Sequence, residues 1–280
     1  MGQVAFWGIQ DGLGVTSNVA AVASILALEY QIKTLVSQPQ WSEATLEYAF
    51  RSSITRYNRD FMNFAIQGLD SLDRAVRSNK LERESIKNNS LLIEPDRLDF
   101  LQGSTKLNKE EFEGSHGIIQ TIFQKADEYY EAVLLDVQSG ENSQVTQALM
   151  KQSELIVVCV NQNISILEQY FNERTNWPSF LREKPQIVLI GQYDQSSKYK
   201  LRNIINKYRF KGRIFPISYN TDFRDHFNDG DVKGFFSKYR GVGKRDENYV
   251  FIDEVRTAAR SILEEIGVNT QIKHIERGAS

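Results

Sequence analysis

Near its amino end the chain runs from a short apolar stretch, Val4 to Ile9, through the turn Gln10-Asp11-Gly12-Leu13-Gly14 into an alanine-rich stretch from Thr16 to Tyr30. A strand, a glycine turn and a helix in that order form an anion-binding layout. Backbone N–H groups and the positive end of the helix point at whatever the turn encloses. Gly12 and Gly14 can donate backbone N–H groups there, and Thr16 and Ser17 place hydroxyls at the mouth of the helix. Much later, Ala132 to Val137 (AVLLDV) reads as a strand carrying Asp136 near its end. A hydroxyl and a strand-end carboxylate are oxygen groups of a kind that Mg²⁺ takes as ligands. Plainer roles stand beside these. The turn could simply cap a helix, Thr16 could be its N-cap, and Asp136 could cap the turn that follows it.

Those residues need elements to hold them, and the chain alternates short apolar runs with helical periodicity. Strands are predicted at Val4–Ile9, Lys33–Ser37, Ser90–Glu94, Phe100–Leu101, Ala132–Val137, Leu155–Val160, Gln186–Gly191 and Arg213–Ser218. Helices are predicted at Thr16–Tyr30, Phe61–Lys80, Ile118–Tyr130, Ser143–Lys151, Ile164–Arg174, Tyr199–Tyr208 and Asn248–Ile266, the last stopped by Gly267. Continuous apolar strands between helices indicate a doubly wound α/β fold, a mostly parallel sheet with helices on both faces. With five scattered prolines, no fixed repeat and no linker-like stretch, residues 1–268 read as one domain and 269–280 as a polar, mobile tail.

Composition excludes several classes. Lys+Arg is 34 against Asp+Glu 36, a net charge of -2, so a strongly basic polyanion binder is not expected. Local basic patches remain at Lys198–Arg213 and Lys238–Arg245, where interleaved Tyr and Phe could add phosphate and stacking contacts to DNA. A solvated helix face explains them as well. One cysteine precludes an internal disulfide, and Cys159 in an apolar strand reads as core. His116, His226 and His274 fit no metal spacing, and no G-x-S-x-G elbow occurs. The longest apolar run, Leu155–Val160, is too short to span a bilayer, and the first residues carry no secretory or myristoylation pattern. The expected location is cytoplasmic, free or peripheral to a membrane-bound assembly.

Measured against the phosphate-binding pattern G-x-x-x-x-G-K-[ST], Ile9 to Thr16 keeps Gly14 and the hydroxyl of Thr16 but has Ile9 for the first glycine and Val15 for the lysine. Over nearly its whole length the chain resembles the ParA/MinD family of deviant-Walker P-loop ATPases. Six landmarks follow in the family's order. QDGLGVTS (Gln10–Ser17) stands where the family has K-G-G-x-G-K-T-[ST], and SQPQWSEATL (Ser37–Leu46) where it has D-x-D-P-Q followed by T-L. LDFLQGST (Leu98–Thr105) matches the strand with P-x-S, and YEAVLLDVQSG (Tyr130–Gly140) the Walker B strand. ALMKQSELIVVCV (Ala148–Val160) and FPISYNTDFRDHFNDG (Phe215–Gly230) complete the set. The resemblance implies the P-loop NTPase type of doubly wound fold. It implies nucleotide binding at Gly12, Gly14, Thr16, Ser17 and Asp136, with Mg²⁺ on Thr16 and Asp136, and an adenine-side loop at Pro216–Asn220 in which Pro216 is the candidate contact. The strand-end Asn that contacts adenine in many members is missing from IGQYD, Ile190–Asp194.

The departures fall on the chemistry. The family's phosphate-reaching lysine corresponds to Val15, its dimer-bridging signature lysine to Gln10, the glycine after that lysine to Asp11, and the water-aligning Asp ending the second strand to Ser37. Phosphoryl transfer depends on positioning and fixed positive charge. Losing one charge-assisted hydrogen bond is worth roughly 1.5–3 kcal/mol, on the order of 10- to 150-fold in affinity, and the rate suffers more. The expectation is therefore a degenerate member, similar to the TadZ/CpaE branch, in which ATP and Mg²⁺ bind weakly or not at all and hydrolysis is slight or absent. Such a protein would be a dimeric hub recruiting partner proteins of pilus- or secretion-type machinery. The other readings are an active partition-type ATPase on nonspecific DNA and a structural subunit that has lost nucleotide binding.

Overall fold

Apolar runs without polar alternation must be covered on both faces, and the strands obey this. The computed structural model describes residues 2–41, 45–58, 68–106, 108–140, 143–172 and 177–274. Among them are strands β1 (Gly2–Gly8), β2 (Thr34–Ser37), β3 (Leu91–Glu94), β4 (Leu98–Leu101), β5 (Ala132–Asp136), β6 (Leu155–Val160), β7 (Gln186–Tyr193) and β8 (Arg213–Ser218). They form one sheet in the order β3-β4-β2-β5-β1-β6-β7-β8. Every neighbouring pair is parallel except β3 with β4. β1, β5 and β6, at the centre, are buried along their whole lengths.

The helices before the central crossover are α1 (Val15–Glu29), α2 (Leu46–Ala49), α3 (Arg51–Tyr57), α4 (Leu69–Arg77), α5 (Arg83–Asn88), α6 (Lys109–Gly114) and α7 (His116–Asp127). After it come α8 (Gln144–Gln152), α9 (Ile164–Asn172), α10 (Ser179–Glu183), α11 (Leu201–Tyr208), α12 (Thr221–Asn228), α13 (Val232–Lys238), α14 (Tyr249–Glu265) and α15 (Thr270–Lys273). α1 packs with α13 and α14 on one face of the sheet, and α4, α7 and α8 pack together on the other. α11 joins the second layer through Tyr208, whose ring stacks on Phe171 of α9 at 4.6 Å. α1 is buried on nearly every side because it lies between the sheet and two helices, which explains its run of Ala and Val where bulkier residues would not fit. Near its end Glu29 is buried against Arg256 of α14, with Nε donating to the carboxylate at 2.7 Å.

Three readings change. The helix predicted from Phe61 is seen from Leu69, after Gly68 at φ 74°, and Phe61–Gln67 lie outside the described residues. Helices α12 and α13 are not among the predicted helices, because between Thr221 and Lys238 their apolar faces rest on a few aromatic residues rather than a long periodic run. The start of α12 is nonetheless marked by Asn220, whose side chain accepts from the Phe223 N–H. The stretch from Asn269 is not a free tail as far as His274. It forms α15, the Gln31 N–H donates to the Lys273 carbonyl at 2.6 Å, and His274 bridges to Tyr30. Residues 275–280 lie outside the described residues.

Candidate functional site

In a doubly wound sheet the ligand crevice opens at the carboxyl ends of the strands, where the chain's direction across the sheet reverses. Here that point is β1, with β5 and β2 on one side and β6, β7 and β8 on the other. The turn that leaves β1 lies over it. Gly12 and Gly14 have φ of 81° and 77°, a left-handed backbone that other residues adopt only under strain. Gly14 occupies the N-cap position of α1 without a side-chain cap bond, so Thr16 is not the N-cap. No acceptor among the described residues takes the backbone N–H of Gly12, Leu13, Gly14, Val15, Thr16 or Ser17. The loop also nestles against the end of β7. A Cβ on Gly191 would meet the Leu13 carbonyl at 3.2 Å. The turn therefore keeps backbone donors without acceptors among the described residues at the start of α1.

Its side chains are another matter. Val15, the lysine counterpart, is buried at 7% exposure, and a Cβ on Gly8 would lie 3.1 Å from its Cγ2. Gln10 and Asp11 are exposed. Thr16 and Asp136 are brought together, as the resemblance implied, and a third residue contacts both. The Gln38 carboxamide is buried, and its Nε2 donates to Asp136 Oδ2 at 2.7 Å and to Thr16 Oγ1 at 3.4 Å. Its Oε1 accepts from the Leu46 N–H of α2 at 3.0 Å. Burial pushes the Asp136 carboxyl up to about 7, and the hydrogen bonds from Thr16 and Gln38 offset only part of that. Asp136 is thus tied into this network, and among the described residues it accepts no bond from the turn that follows it. As they stand, Thr16 and Asp136 do not fit Mg²⁺, because an N–H donor contacts both of the oxygens that would ligate it. Among the described residues no cluster of His, Cys, Asp and Glu offers another metal site.

The family resemblance puts the water-aligning position at Ser37. The structure turns the Ser37 hydroxyl away, donating to the Leu101 carbonyl at 2.8 Å, and presents Gln38 to the site. The signal was available. Aligning SQPQ with D-x-D-P-Q on the shared Pro-Gln, rather than on the strand end, puts Gln38 at the second aspartate. Pro216 is likewise displaced. It lies inside β8 opposite Ile190, while the next four residues, Ile217 to Asn220, line a cleft of about 330 Å³ that reaches Gly14, Ser17 and Asn18. Phe223, Phe227 and Phe251 wall the cleft, and among the described residues Arg224 is its one lining cation, 5.5 Å from the Tyr219 ring centroid.

Other candidates resolve simply. Cys159 is core, its thiol pushed up to about 12 by burial, with Asn18 donating to Sγ at 3.4 Å. The two basic stretches belong to opposite layers, α11 packing with α9 and α13 with α1. Within them Lys207 pairs with Glu168 at 3.1 Å, and Arg213 lies 3.5 Å from Glu265. Among the described residues no helix is long and apolar enough to cross a membrane.

Sheet order, crossovers and glycine turn define a doubly wound α/β protein of the P-loop NTPase type. No protein-family model and no curated protein sequence matches the chain. Solved structures do match in three dimensions. The chain is similar to a ParA family ATPase from Chlorobium tepidum TLS, with a TM-score of 0.69 and 13% identity over 92% of this chain and 97% of that one. It is similar to MinD of Pyrococcus horikoshii OT3 complexed with Mg-ADP, with a TM-score of 0.66 and 12% identity over 95% and 98%. It is also similar to the MinC:MinD cell division protein complex of Aquifex aeolicus, with a TM-score of 0.65 and 12% identity over 94% and 96%. The fold is that of the ParA/MinD ATPases.

Proposed function

We propose that this chain is a ParA/MinD-type positioning or assembly protein whose nucleotide site is degenerate. It binds nucleotide weakly, turns it over slowly or not at all, and works as a dimeric hub that recruits protein partners, of the pilus- or secretion-machinery kind. The observation that carries this reading is the contrast within one loop. Six backbone N–H groups stand ready for an anion, while the lysine positions hold a buried Val15 and an exposed Gln10. Neutral donors can hold a phosphate group, but they do not supply the fixed positive charge that transfer requires.

The hub role draws support from the surface. Trp41, Tyr48, Tyr219 and Val250 are exposed large apolar side chains. Tyr219 and Val250 line a cleft beyond the carboxyl ends of β7 and β8, and Trp41 and Tyr48 belong to the segment that follows β2. Exposed large apolar side chains of this kind suit a protein partner or a second copy. The solved complex of MinD with MinC shows that this fold accommodates a protein partner in that relative.

Calorimetric titration with ATP and a steady-state hydrolysis assay test the nucleotide half of the proposal. Binding without turnover is expected, and sustained turnover abolished by Thr16→Ala would defeat it. Light scattering tests the other half. The dimer is expected with and without ATP·Mg, whereas a monomer that pairs only on adding ATP·Mg would contradict it.

A further inference from the structure

We infer that the Gln38 carboxamide is a built-in neutral substitute for the divalent cation, closing the metal position between Thr16 and Asp136 and making the site independent of Mg²⁺. The geometry fixes which end of the amide faces the site. Oε1 must face the Leu46 N–H, since a donor there would oppose a donor. That leaves Nε2, with two hydrogens, for the two oxygens at 2.7 and 3.4 Å. Turning Oε1 inward to ligate a metal would break the Leu46 bond and leave two N–H groups facing each other. A metal could enter only by expelling the side chain from a buried position, leaving the Leu46 N–H without its acceptor.

The amide also performs the cation's structural task. It links α1 through Thr16, β5 through Asp136 and α2 through Leu46. α2 in turn packs on α12, which walls the neighbouring cleft. The crevice is thereby held in one arrangement by a side chain that is always present, where a cation would come and go with its nucleotide. This inference rests on the degenerate-site reading above.

Mn²⁺ alone, followed by electron paramagnetic resonance, is the probe, with melting curves in MnCl₂ and MgCl₂ alongside. The full-length wild type is expected to leave Mn²⁺ in its free aqueous form and to melt at the same temperature with or without either salt. Gln38→Asp should immobilise Mn²⁺ and melt higher in its presence, and the double variant with Asp136→Asn should lose both effects. Gln38→Asp places two carboxylates side by side, so Gln38→Ala is the second variant. It removes the competing amide and should bind Mn²⁺ at least about tenfold more tightly than wild type, the equivalent of one hydrogen bond no longer displaced. Wild type that binds Mn²⁺ as tightly as Gln38→Ala would overturn the inference. So would ATP affinity in the wild type that collapses when EDTA replaces MgCl₂, and this result would leave the lack of turnover proposed above intact. Sustained hydrolysis, by contrast, defeats the degenerate-site reading whatever Mn²⁺ does.

Discussion

At the β1 end of the crevice the polar side chains are bonded to one another. At the β8 end, a few residues away, a cleft of about 330 Å³ is left open. Thr16, Gln38 and Asp136 form a closed set of partners around a carboxyl group that burial pushes up to about 7. Phe223, Phe227 and Phe251 instead form an apolar wall whose only charged companion among the described residues, Arg224, is mostly exposed. One crevice can thus keep its volume at one end and close its chemistry at the other. Volume is set by how helices rest on the sheet, which many residues decide together, whereas chemistry is set by three or four side chains.

The sharpest way to break this comparison is to remove the buried carboxyl. Because its folded-state value lies above the ordinary 3.8, the stability it contributes is intact below that value and is lost as the pH rises through about 7. The loss is on the order of 4 kcal/mol by linkage. Asp136→Asn should therefore abolish this part of the pH dependence and be the more stable protein above neutrality, as read by urea melts across the pH range. An unchanged pH profile would mean that the β1 end is as solvated as the β8 end.

Next in size is the missing cation. Val15→Lys should raise ATP affinity by on the order of 10- to 150-fold, the worth of one charge-assisted hydrogen bond, measured by calorimetry. No gain would show that the turn's amides do not face the ligand. Ser37→Ala should cost only about 1 kcal/mol, one ordinary hydrogen bond to the Leu101 carbonyl, and should leave ATP binding unchanged. A large effect on binding would return to Ser37 the role that Gln38 holds here. Smallest is Arg224→Ala. Its stability should stay within about 0.5 kcal/mol of wild type because the side chain is exposed. ATP affinity should fall by no more than about fivefold, the worth of an exposed charge contact.

Much of this was legible without coordinates. The runs LIVVCV and AVLLD cannot be half-exposed, so they announced a sheet covered on both faces. Gly12 and Gly14 between a strand and an alanine-rich helix announced the turn that leads into α1. What escaped were features that depend on partners far away in sequence. α12 and α13 are held by aromatic contacts such as Phe223 with Phe251, 4.8 Å apart, and their own periodicity is too short to reveal them. The docking of Lys273 and His274 on Gln31 and Tyr30 was likewise invisible in a polar stretch.

The sequence alone determined that the loop carries no lysine, since composition at a position needs no fold to be read. Only the tertiary structure decided that Gln38, and not its neighbour Ser37, meets Asp136. Successive side chains along a strand point to opposite sides. Which side faces the crevice depends on the lateral pairing of β2 between β4 and β5, and that pairing joins residues some sixty and a hundred positions further along the chain.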